Sequence, residues 1–72
     1  MTIKSQNDII KRYKQAIFYL MSNECKQNWG KKVKTFHTIR ELYWVLGGEG
    51  ACPIQLFPET KILDKEKLYN VI

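Results

Sequence analysis

Apolar positions recur at helical spacing over the first third of the chain. Projected at about 100° per residue, Ile9, Ile10, Tyr13, Ala16, Ile17, Leu20 and Met21 fall on one broad face, and Lys11, Arg12, Gln15, Ser22 and Lys26 on the other. This is the pattern of an amphipathic helix lying on a core. Ser5 followed by Asp8 supplies an N-cap pair. The spacing predicts a first helix over about residues 6–26, ended by "NWG" with Gly30 as its left-handed cap residue. Phe18 and Tyr19 sit at or beyond the edges of the apolar face, so one of them is expected to be exposed.

A second helix is predicted over 38–46. Thr38 and Glu41 have the spacing of a capping box, Ile39, Leu42, Tyr43, Val45 and Leu46 cover most of the circumference, and Gly47–Gly48 stop the run. A third helix is predicted over about 60–70, or from a later start with Asp64 as its cap. Leu68, Val71 and Ile72 share one face, which implies a docked end. Two short segments, 32–36 and 54–57, can pair as a minimal two-stranded ribbon. The expected fold is therefore a small α-rich α+β domain of three helices with that ribbon. The alternative, without the pairing, is an irregular all-α three-helix domain.

Seventy-two residues make a single small domain, 1–72. At this size one core rarely supplies more than about 3–5 kcal/mol, and many such chains add a disulfide, a metal or a partner subunit. The thin core, the broad first-helix face and the apolar "YNVI" end suggest a homodimer or a stable protein partner. Nine aromatics and 44% hydrophobic residues exclude a disordered chain.

Charge changes the picture more than composition does. The net charge of +5 is unevenly spread: residues 1–46 balance at +6 and residues 47–72 at −1. A one-sided basic field attracts anionic partners, though a charge of about 2–8 is also what solubility alone requires. Ten lysines against two arginines favour backbone contact over the forked arginine contacts that read base edges. No apolar run approaches the ~20 residues of a membrane-crossing helix, and "MTIKSQNDII" does not read as a signal peptide. A cytoplasmic protein without membrane association is the expectation, with Cys25 and Cys52 as unpaired, buried small hydrophobes. The abundance of Lys, Asn and Ile is compatible with an AT-rich coding source such as a phage or mobile element.

Candidate chemistry is sparse. Cys25, His37 and Cys52 lack the paired spacing of a closed zinc site, and no cofactor is expected. His37 reads as a surface or capping residue. "GGEG" lacks the following Lys-Ser/Thr of a phosphate loop and reads as a turn. No carboxylate pair is spaced for acid–base work. Neither an enzyme nor a small-molecule substrate is indicated.

The distinctive stretch is "WGKKVKTFH", residues 29–37, read as a basic connector between helices. Lys31, Lys32 and Lys34 are the candidate phosphate contacts, with Lys11, Arg12 and Lys26 extending the patch along the first helix. Trp29 or Phe36 stacking on an unpaired base is one reading. The favoured reading has both anchoring the loop ends into the core. The sequence thus points to a small, basic, non-enzymatic protein, nucleic-acid-binding or regulatory, that contacts phosphates through a lysine-rich face. The alternative is an interaction module that modulates a larger protein or associates with itself.

Overall fold

The computed structural model describes residues 5–71, and it is a small helix-rich α+β domain. Four helices, α1 (Gln6–Leu20), α2 (Asn23–Lys26), α3 (Trp29–Val45) and α4 (Lys65–Tyr69), accompany two strands, β1 (Ile54–Gln55) and β2 (Lys61–Ile62).

Ser5 caps α1 as its sequence implies: its Oγ accepts from the Asp8 amide at 3.3 Å and donates to the Asp8 carboxylate at 3.0 Å. The helix is shorter than the predicted 6–26. Ser22 ends it by donating to the Tyr19 carbonyl at 2.6 Å, and the same oxygen then accepts from the Cys25 amide at 3.3 Å. One serine closes α1 and caps the single turn of α2.

The largest departure from the sequence reading is at residues 29–37, which form the first half of α3 rather than a connector. Asn28 has extended backbone, and its side chain accepts from the Lys31 amide at 3.1 Å, so the helix begins at Trp29. Gly30 is helical and caps nothing; the glycines with positive φ are Gly47 and Gly50. Thr38, expected as a cap, lies mid-helix and donates to the Lys34 carbonyl. The predicted 38–46 helix is thus the second half of a 17-residue one. Phe36, Ile39, Tyr43 and Leu46 continue an inward stripe at three- and four-residue spacing, and lysine is a good helix former. The C-terminal stop is as read. The amides of Gly47 and Gly48 bond to the Trp44 and Tyr43 carbonyls, a Schellman end with Gly47 at φ 94°.

With 32–36 helical, β1 pairs instead with β2, antiparallel, in the register Ile54↔Ile62 and Gln55↔Lys61. The connection contains a cis Phe57–Pro58 peptide. The predicted 60–70 helix contracts to α4, which starts at the later position: Asp64 accepts from the Lys67 amide at 3.0 Å. Val71 packs against the core; Ile72 lies outside the described residues.

The core joins Tyr13, Ile17 and Leu20 of α1, Cys25, Ile39, Tyr43 and Leu46 around α3, Ile54 of β1 and Leu68 of α4. Tyr13 lies within electrostatic reach of Tyr43, and Tyr19 of Lys31, so α1 and α3 run in opposite directions. The molecule measures 35 × 26 × 14 Å. Several large apolar side chains, Phe18 and Trp44 the most exposed of them, stay outside the core.

Candidate functional site

A groove of about 460 Å³ runs along the seam between α1 and α3. Arg12, Gln15, Ala16 and Tyr19 form one wall, and Lys31, Lys34, Thr35 and Thr38 the other. Both sets have the spacing i, i+3, i+4, i+7, so each wall is a single helical stripe. Ala16 leaves room at the seam, while Arg12, Lys31 and Lys34 give the groove three cations.

Three of the six basic residues singled out by sequence therefore meet at one place: Arg12, Lys31 and Lys34. The other three do not line it. Lys32 turns away, with its Nζ 5.7 Å from the centre of the Trp29 ring. Lys11 lies about 100° around α1 from Arg12, and Lys26 is exposed on α2. Gln15, Tyr19, Thr35 and Thr38 join the groove without having been singled out.

Glu24 tempers the positive field. Its Oε1 lies 3.1 Å from Lys31 Nζ, the one ion pair among the described residues. That hydrogen bond raises the Lys31 pKa above its ordinary value, followed by the influence of Tyr19 and of the Glu24 charge. Lys31 is thus firmly cationic but already partnered, whereas Lys34 has no carboxylate in ion-pair contact among the described residues. Hydroxyl donors complete the α3 wall, though Thr38 is engaged with the Lys34 carbonyl at 3.1 Å and Thr35 lies 4.0 Å from Cys25 Sγ.

The two aromatics of the basic stretch differ. Phe36 is half-buried against the core, as expected, beneath the Arg40 guanidinium at 5.7 Å. Trp29 is not a core anchor: it is 48% exposed and pairs with Phe57, ring centroids 4.9 Å apart. Of the two residues at the edge of the α1 apolar face, Phe18 is outside and Tyr19 half-buried.

A second cavity, about 510 Å³, lies across α3 and has both His37 and Cys52 in its lining, with Arg40, Glu41 and Trp44. Burial pushes the Cys52 thiol up to about 11, only partly offset by Arg40 and Lys67. A thiol so protonated at neutral pH is a poor nucleophile and metal ligand. Both cysteines are free; Cys25 is buried and Cys52 half-buried. Among the described residues no three of His, Cys, Asp and Glu are grouped to hold a metal, and no helix is long and apolar enough to cross a membrane.

No family model matches the chain, and no curated protein or solved structure is significantly similar to it.

Proposed function

We propose that this chain is a small, non-enzymatic nucleic-acid-binding protein of regulatory type, acting in the cytoplasm. It contacts the phosphate backbone through the groove between α1 and α3. The observation that carries the reading is the convergence of Arg12 with Lys31 and Lys34, which lie on a different helix, on one groove in the segment, residues 1–46, that holds all the excess positive charge. Phosphate is the anion such a groove suits: point charges for the oxygens, hydroxyl and amide groups alongside, and few flat donors for base edges.

The test is a salt titration of binding. Each lost phosphate contact lowers the slope of log affinity against log salt by about 0.9 on duplex DNA or about 0.7 on a single strand. Arg12→Gln, Lys31→Gln and Lys34→Gln together should flatten it by roughly 2–3 units, for all base sequences alike. Lys65→Gln with Lys67→Gln, on the exposed side of α4, should leave it unchanged. Equal losses in both variants would reduce the groove to net charge alone. No binding by the parent protein at ~50 mM salt, where such contacts are strong, would sink the reading.

A second reading rests on a different observation. Phe18 is 82% and Trp44 74% exposed, with Val45 beside Trp44. Large apolar side chains left in water favour a protein partner or a second copy of the chain. Sedimentation across micromolar concentrations tests self-association, and that association should persist at high salt, where phosphate contacts fail. A concentration-independent monomer would count against the homodimer.

A further inference from the structure

One aromatic feature lies outside both the core and the groove. Trp29 opens α3, and Phe57 comes from the β1–β2 connection. Their rings meet at 4.9 Å with a tilt of 57°, yet the residues remain 48% and 68% exposed. Neither belongs to the packed cluster around Tyr13 and Leu68. The fold brings two distant aromatics together and still leaves ring surface in water. Lys32 sits over Trp29, and the ion pair to Glu24 engages its neighbour Lys31 instead. An apolar ring surface is therefore flanked by Lys32, a cation with no carboxylate in ion-pair contact among the described residues, and Trp29 lies two residues along the helix from the groove residue Lys31.

Resting on the nucleic-acid reading above, we infer that Trp29 and Phe57 form a stacking platform for an unpaired base, with Lys32 on an adjacent phosphate, so that the preferred ligand is a single strand. The charge pattern selects this occupant over a hydrophobic protein surface. Covering the platform with apolar side chains would strip water from Lys32 without a counter-charge, whereas a nucleotide brings a flat ring and an anion joined together. A duplex does not suit it, because its bases already stack on one another and are paired. The stacking is tolerant of sequence, since every base presents a π-face. Lys32, which turns away from the groove, thereby has a phosphate of its own.

Trp44→Phe leaves Trp29 as the chain's sole tryptophan. In that background, a ~12-nucleotide oligothymidylate, within the site sizes common for such proteins, should quench Trp29 emission saturably, and a duplex of equal length should not. Removing one stacking partner, Phe57→Ala, should lower single-strand affinity about five- to hundredfold and leave duplex affinity unchanged. Trp29→Ala should lose as much, and Trp29→Phe, followed by anisotropy of a labelled strand, should regain most of it. That rescue, with circular dichroism of each variant, separates stacking from misfolding. A single strand that binds with its full salt slope, while Trp29 emission stays constant and Phe57→Ala changes nothing, overturns the platform and leaves the groove standing. Equal affinity for duplex and single strand overturns the preference. Binding of neither overturns platform and groove together.

Discussion

Thirty-six of the forty-two residues from 5 to 46 are helical, whereas only five of the twenty-five from 47 to 71 are. The first region satisfies its backbone locally and contributes seven of the nine buried hydrophobic side chains. The second contributes Ile54 and Leu68 and is held by what it touches. Two phenols of the helical region fasten it. Tyr13 donates to the Leu68 carbonyl at 2.6 Å and Tyr43 to the Glu49 carbonyl at 3.1 Å. Charge divides the same way, with the excess positive charge on the helices and a slight negative balance on the strap. The difference teaches that the helices carry the basic groove, while the irregular segment supplies the side chains that close the open side of the helix pair.

If the strap completes the core, its one fully buried anchor should matter most. Leu68 has no solvent exposure. Leu68→Ala should cost about 2–5 kcal/mol, which at this size approaches the whole stability. The urea midpoint should fall steeply, and residues 61–71 should lose amide protection before α1 and α3 do. A loss under about 1 kcal/mol, the range of a mild surface change, would break the comparison and make the strap dispensable.

The next effect lies at the junction of the two regions. A Cβ on Gly48 would overlap the ring of buried Tyr43. Gly48→Ala should therefore cost about 1–3 kcal/mol as overpacking, seen as a lower melting temperature. Double substitution with Tyr43→Leu should recover part of the loss. Simple additivity would show that the close approach is not the cause.

These same elements show what was legible in the sequence. The stripe from Ile9 to Leu20 announces α1 because a helix on a core repeats its apolar positions. Its early end was hidden, because Ser22 falls on the polar face and reads as surface rather than as a cap. The start of α3 was misread for a related reason. Lys31, Lys32 and Lys34 around Val33 look like a solvated extended run, and Gly30 looks like a stop. Asn28 was the informative residue, a cap placed before a stripe that continues to Leu46. The groove inherits that error. Its cations were legible as charges, but the matching stripes 12/15/16/19 and 31/34/35/38 appear only once α3 begins at Trp29. Strands of two residues carry no readable periodicity, so the β1–β2 pairing, and with it the meeting of Phe57 and Trp29, is a tertiary outcome without a local signal.

High pH probes the seam between the regions. Burial, reinforced by Cys52, Tyr43 and Tyr69, holds the Tyr13 phenol well above its ordinary pKa, and burial raises Cys52 to about 11. In the unfolded chain these groups ionise near pH 10 and about 8.5. The folded state then binds more protons than the unfolded state, so stability falls as pH rises. The loss should begin near pH 8.5 with Cys52 and steepen above about 10, where Tyr13 adds up to about 1.4 kcal/mol per pH unit. Below pH 8 neither group contributes a slope. Under reducing conditions, Cys52→Ala should flatten the lower part of the curve and Tyr13→Phe the upper part. A urea midpoint constant up to about pH 11 would contradict the burial of both groups.

The smallest effect tests the boundary on which the comparison rests, and it has the opposite sign to Gly48→Ala. Gly30 is the second residue of α3 and has no positive φ. A Cβ there would meet only Asn28 Oδ1, at 3.4 Å. Glycine in a helix costs roughly 0.5–1 kcal/mol relative to alanine, because the unfolded chain loses more freedom on ordering. Gly30→Ala should therefore stabilise the protein by up to about 1 kcal/mol, raising the melting temperature by about 4–8 °C at the upper limit for a domain of this size. The nucleic-acid binding proposed above should not change, because Trp29 and Lys31 keep their places on the helix. If Gly30 instead capped a helix ending at "NWG", alanine would be forced into left-handed backbone and would destabilise the fold. A fall in melting temperature on Gly30→Ala would return residues 29–37 to a connector, and with it undo the two-stripe groove.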